Sequence, residues 1–259
     1  MKQIPNIVTL LNLAFGCVAI VCILQPGENI AVLDTDSFLH ITLPERIVWG
    51  SVFIGCAALV DFLDGFVARL LRVDSPMGKQ LDSLADVVSF GVAPGAILYQ
   101  LLRMSYLREA SAFDTSLWAF APILLFPCAA AYRLGKFNVD ARQTYGFLGV
   151  PTPPAALLVA ALPLIQHFDQ FGLAPIVVNK WVLYALTLIL SGLMISDIPM
   201  LSLKFRTLAF KDNWTKWLLA ALAVLAAIFI QWVAVPVVFA VYVILSLVVG
   251  KRQNEHQNA

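Results

Sequence analysis

Four aspartates stand at helical spacing in the stretch DFLDGFVARLLRVDSPMGKQLDSLAD, residues 61–86. Asp61 and Asp64 are three positions apart, and Asp82 and Asp86 are four apart, so each pair lies on one face of its helix. Like charges this close repel, and carboxylates are costly to take out of water. The four must therefore share protons or hold cations. Hard carboxylate oxygens suit Mg²⁺, Mn²⁺ or Ca²⁺, and two divalent ions would cancel four negative charges. A pair of such ions about 3.5–4 Å apart clamps phosphoryl oxygens in two-metal enzymes. Gly65 and Ala68 follow Asp64, and Gly78 lies one helical turn before Asp82 on the same face. They leave a wall without side chains, where a flat or bulky ligand can approach backbone. Arg69 sits beside the acids, and its planar fork suits a phosphate.

These acids must be positioned by elements that live in lipid. The chain has 259 residues, of which 60% are hydrophobic and 13% charged, with mean hydropathy +0.84. Soluble domains carry about 25% charged residues. The composition predicts an all-α, polytopic membrane helical bundle. A net charge of +1 offers no case for nucleic acid. The four cysteines lie in apolar runs without CxxC spacing and read as small apolar residues. No cleavable leader is expected, because the first apolar run is long and lacks a clear A-x-A site.

Eight apolar segments can be marked, at about 5–24, 47–70, 77–102, 117–137, 153–168, 180–202, 214–232 and 234–250. A helix needs about 20 residues to cross the hydrocarbon, so the stretch from Trp214 to Gly250 is broken near Gln231–Pro236, where proline can end a helix. With the N-terminus in the cytoplasm, only Arg46, Arg103, Arg108 and Lys180 of the 17 basic residues fall outside. That asymmetry predicts eight spans with both termini inside. Ser75 and Pro76 look like a helix start. The link Leu70–Met77 is short, so segments two and three should be antiparallel neighbours whose acids converge just below the cytoplasmic interface. The tail KRQNEHQNA is polar and expected to fray.

The pattern Asp61-x2-Asp64-Gly65-x2-Ala68-Arg69-x8-Gly78-x3-Asp82-x3-Asp86 matches every fixed position of the CDP-alcohol phosphotransferase signature. IPNIVTLLN, DSLADVVSFGVAPG, YRLGKFNV and FLGVPTPPAA further resemble the bacterial phosphatidylserine synthase branch. The resemblance covers about residues 4–206. It implies a six-helix CDP-alcohol phosphotransferase core within 1–206, with an additional transmembrane hairpin and short tail in 207–259. It departs at Gly135–Lys136, where the branch usually reads Ala-Arg and where lysine lacks the bidentate fork.

The resemblance implies transfer of a phosphatidyl group from CDP-diacylglycerol to the hydroxyl of L-serine, with release of CMP. Asp61, Asp64, Asp82 and Asp86 would hold Mg²⁺ or Mn²⁺, two ions in all, and Asp86 would be the general base. Gly65, Ala68 and Gly78 would border the cytidine. Arg69, Asn6 and Thr9 would contact a phosphate. Arg133 and Lys136 are candidates for the serine carboxylate or the lipid phosphate, against a plain role as positive-inside anchors. The implied setting is a homodimer in the bacterial inner membrane, with the site on the cytoplasmic side. Two rivals stay open. One is transfer to another alcohol, such as glycerol 3-phosphate, inositol phosphate or choline. The other is an ion-coupled transporter, since intramembrane acids also mark ion paths.

Overall fold

In hydrocarbon a backbone amide finds no water, so apolar runs of this length can only be helices. The structure, a computed structural model, describes residues 4–24, 31–33, 39–41, 46–71, 76–108, 115–139, 147–201 and 214–257. Helix α1 spans Ile4–Leu24 and α2 spans Arg46–Leu71. A long rod follows, made of α3 (Pro76–Asp86), one π-helical turn (Val87–Val92) and α4 (Ala93–Leu107). A 3₁₀ segment at Leu117–Leu124 runs into α5 (Leu125–Val139). Then come α6 (Thr152–Phe168), the short α7 (Ala174–Val177) and α8 (Lys180–Ile195). Finally α9 (Trp214–Ile230) turns through Gln231–Val233 into α10 (Ala234–Gln257).

Among the described residues, five stretches are long and apolar enough to cross a membrane: Asn6–Leu24, Arg46–Phe66, Pro76–Leu107, Leu117–Val139 and Trp217–Val248, while α6 and α8 are shorter apolar helices. The protein is an all-α membrane bundle whose rods fall on the apolar segments of the sequence. Its strands are minor. β1 (Ala31–Leu33) pairs antiparallel with β2 (Leu39–Ile41), and β3 (Phe147–Leu148) with β4 (Pro199–Met200).

Two boundaries differ from the sequence reading, and a third falls where it was expected but for another reason. The segment expected to run to residue 202 stops at Ile195, because Ser196 turns extended and Pro199 follows. The break in the last apolar stretch sits at Gln231, which takes a left-handed φ of 46°. Pro236 lies inside the first turn of α10, where its missing N–H costs nothing. The polar tail is helical to Gln257 rather than frayed.

Packing is by close approach at small residues. A Cβ on Gly50 would stand 2.5 Å from Cγ1 of Ile23, so α1 and α2 meet nearly backbone to backbone. Gly91 and Gly95 do the same for the rod against Pro127 and Ala130 of α5. The SFGVAPG glycines are thus packing residues. Helix α6 is central: Ala155, Ala156, Val159 and Ala160 are all buried, and it packs on α2, α4 and α10. At 17 residues it rises only about 26 Å. Gly149 precedes it with φ 72°, and a Cβ there would stand 2.6 Å from the carbonyl oxygen of Met194 at the end of α8. The two ends of the bundle are distinct. Thr9, Asp64, Lys136 and Asp197 mark one; Tyr106, Tyr184 and Lys180 mark the other, where the two tyrosine hydroxyls are 2.8 Å apart.

Candidate active site

The acids of α2 and α3 meet. One carboxylate oxygen from each of Asp61, Asp64 and Asp82 lies within 4.8 Å of the others. Asp64 is buried, and Asp61 and Asp82 are half-buried. The sequence reading derived this meeting from two adjoining helices. The structure adds a third element, because α1 packs along both α2 and α3 and supplies polar groups to each. The Thr9 hydroxyl donates to Oδ2 of Asp64 at 3.0 Å. The Asn12 amide donates to Oδ1 of Asp86 at 3.2 Å. Ser89, in the π-helical turn, donates to the carbonyl of Asn12 at 3.1 Å. A Cβ on Gly16 would collide with Ser89, so that glycine sets how near α1 comes. The π turn begins directly after Asp86 and offsets Ser89 from the α-helical register, as such turns often do at functional sites.

Asp86 is buried and stands apart from the triad, although near enough to feel the charges of Asp61, Asp82 and Asp64. With Oδ1 taken by Asn12, its second oxygen is left for other chemistry. Oδ1 of Asp82 is buried and has no hydrogen-bond partner among the described residues. A buried carboxylate oxygen without a donor, in a cluster of oxygen-only ligands, fits a hard divalent cation. The triad can therefore hold a metal.

The other expected site residues divide. A Cβ on Gly65 would meet nothing within 4 Å among the described residues, so none of them demands glycine there. Gly78 is half-buried in the first turns of α3, and Asn6 is half-buried at the start of α1. Ala68 and Arg69 fall in the last turns of α2, but their side chains lie outside the described residues, as does the Ser75 cap. Lys136 forms an ion pair with Asp197 at 2.7 Å, which joins α5 to the segment after α8. Asn138 also ties α5 to α3, by donating to Ser83 at 2.6 Å.

Arg133 is different. It is buried, its Nη1 donates to Thr152 at 3.4 Å, and its Nε has no hydrogen-bond partner among the described residues. Asp86 and Tyr242 of α10 both lie within electrostatic reach of its charge. Asn12, Ser89 and Tyr242 were not among the expected site residues. The signal for Asn12 was present: an amide inside an apolar helix needs a partner.

A family model described as CDP-alcohol phosphatidyltransferase matches residues 2–193. The chain belongs to the CDP-alcohol phosphatidyltransferase family. The match spans α1 to α7 and most of α8, so α9 and α10 lie beyond it. Among named relatives, a CDP-diacylglycerol–serine O-phosphatidyltransferase of Mycobacterium leprae is 35% identical over 181 residues, covering 67% of this chain and 55% of that protein. One of Bacillus subtilis is 30% identical over 191 residues, 70% of this chain and 89% of that protein. One of Mycobacterium tuberculosis is 30% identical over 237 residues, 88% of this chain and 70% of that protein. The last alignment is too long to end at residue 193, so its likeness reaches into the α9–α10 region. In this CDP-alcohol phosphatidyltransferase the acids, the open wall at Gly65 and the polar face of α1 occupy one end of the bundle.

Proposed function

We propose that the chain is a phosphatidylserine synthase. It transfers the phosphatidyl group of CDP-diacylglycerol to the hydroxyl of L-serine and releases CMP. The observation that carries this reading is the acid triad beside a separately held Asp86, in a chain whose family and named relatives carry that activity. A serine hydroxyl is a poor nucleophile until its proton is removed. Asp86 takes that proton on the oxygen that Asn12 leaves uncovered. The serine oxygen then bonds to the lipid-side phosphorus, and the bond to the CMP oxygen breaks. No activated serine or cysteine is needed, so attack is direct.

Asp61, Asp64 and Asp82, with Asp86 at the margin, would hold two divalent ions, Mg²⁺ or Mn²⁺, which when bound neutralise charge on the diphosphate. Thr9 orients Asp64, and Asn12 orients Asp86. Gly65, Ala68 and Gly78 would border the cytidine, and Arg69, Asn6 and Thr9 would contact a phosphate. Of the two cations on α5, Arg133 is the better acceptor or phosphate ligand, because Lys136 is already paired with Asp197. Residues 1–206 form the catalytic membrane domain and 207–259 the added hairpin and tail. The bias of basic residues supports a site and both termini on the cytoplasmic side, in a bacterial inner membrane and as a homodimer on this reading.

The test is purified protein in detergent with Mn²⁺ or Mg²⁺, CDP-diacylglycerol and labelled serine. Labelled phospholipid and CMP should appear in equal amounts. Incorporation of glycerol 3-phosphate, inositol phosphate or choline instead of serine would overturn the acceptor. Ion transport without consumption of the CDP-lipid would overturn the reaction itself.

A further inference from the structure

The α9–α10 hairpin leans on α6 and leaves a groove of about 320 Å³ between the three helices. That is within the usual range of ligand sites, about 300–1,000 Å³. Leu157 of α6, Ala223 and Ala227 of α9, and Val238 of α10 line its length. The small side chains of α9 hold the space open. Its lining from Ala234 to Tyr242 spans nine residues of α10, about 12 Å of helix. The walls are carbon almost throughout and lie within a membrane-spanning stretch. Water gains too little there to stay, and an apolar cavity takes apolar occupants.

The two ends of the groove are unlike. At one end Trp232 stacks on Phe168, 6.2 Å between ring centres. At the other stands Tyr242, buried, with its hydroxyl donating to the carbonyl of Leu201 at 3.1 Å. Ser246, one turn later, accepts from the backbone N–H of Leu201 at 3.1 Å. These two bonds fasten α10 to the segment after β4. Tyr242 also lies within electrostatic reach of Arg133, which in turn reaches Asp86. Pro154 also lines the groove, two residues after Thr152, which accepts from Arg133; the groove therefore runs from the active-site end of α6 toward Phe168 at its other end. A lipid held by its phosphates at the acid end would have a chain to place along such a path.

We propose that the groove between α6 and the α9–α10 hairpin holds one acyl chain of the diacyl donor lipid. This rests on the reading that the site takes a CDP-linked diacyl lipid. The hairpin is then part of the lipid site rather than an appendage to the family's fold.

Two measurements test it. In the first, Ala223→Phe and Ala227→Phe are combined to fill the groove, and serine transfer is followed with dioleoyl and dihexanoyl CDP-donors. The kcat/KM for the long-chain donor should fall about tenfold or more, as when a pocket rejects a chain it once fitted. The value for the short-chain donor should change less than twofold. An equal fall for both donors, or none for either, overturns the proposal. In the second, which needs no variant, the unaltered protein is irradiated with CDP-diacylglycerol bearing a diazirine on one acyl chain. Labelled peptides should come from residues 219–227 or 234–242, and excess plain CDP-diacylglycerol should suppress the labelling. Labelling only elsewhere, or labelling in the groove that phosphatidylcholine displaces equally well, overturns it. If unaltered protein binds the donor but transfers it to another alcohol, the serine assignment fails while the cross-link still decides the groove.

Discussion

Two stretches of the chain are equally long and meet opposite fates. Pro76–Leu107 and Trp217–Val248 each run for 32 residues, but 56% of an apolar 18-residue window in the first is buried inside the protein and only 11% of such a window in the second. The second is the more apolar of the two. Lipid tails are as apolar as leucine, so oiliness gives a helix no reason to turn inward. Polar groups do have a reason, because an unpaired one in hydrocarbon costs several kcal/mol. The rod buries Asp86, Ser89, Gln100 and Ser105. The hairpin turns Val224, Leu225, Ile228 and Phe229 outward. In this protein burial follows what needs a partner, and Asp86 of the site belongs to the more buried stretch.

That contrast can be broken at several points. The largest effect should come from the rod's own acid: Asp86→Asn should lower serine transfer by about 10²–10⁴-fold, the usual contribution of a general base. Binding of CDP-diacylglycerol should survive. Turnover near that of the unaltered protein would remove Asp86 from the mechanism. Next is its support from α1. Asn12→Ala removes a hydrogen bond to a carboxylate, worth about 1.5–3 kcal/mol, so kcat should fall about 10–100-fold. The thermal transition should move little, and a loss of folding equal to the loss of rate would make Asn12 merely structural.

Stability separates the two stretches through one residue type. Phe90 in the rod is fully buried and Phe229 in the hairpin is 76% exposed. Phe90→Ala should destabilise through its cavity, about 2–3 kcal/mol for roughly 100 Å³ left empty. The transfer part of the usual cost drops out, because lipid is the reference. Phe229→Ala should change stability by less than about 0.5 kcal/mol. Denaturation in mixed micelles reads both, and equal values would erase the distinction between the regions. The smallest effect belongs to the exposed pair: Lys136→Ala should cost about 0–1 kcal/mol. A large rise in the KM for serine in that variant would return Lys136 to the acceptor site.

Much was legible in the residues. Apolar runs near 20 residues have one backbone solution in lipid, so helix number and rough ends followed from composition and length. The spacing of the four aspartates put each pair on one face, and a link as short as 72–75 between α2 and α3 brought the pairs together. Less legible was the end of α8, where the single residue Ser196 turns extended before the apolar run itself ends.

The sequence by itself determined a membrane helix bundle with an acidic centre at one end, because the bilayer restricts the backbone and the i, i+3 and i, i+4 spacings restrict the side chains. Only the tertiary structure decided which helix completes that centre. Asn12 and Asp86 are 74 positions apart, and Gly16 against Ser89 sets their approach. It also decided that Tyr242, from beyond the span of the family match, stands near Arg133. Helices surrounded by lipid choose partners by local fit of small residues and by polar pairs, and such fit is spread over distant segments that no spacing rule connects.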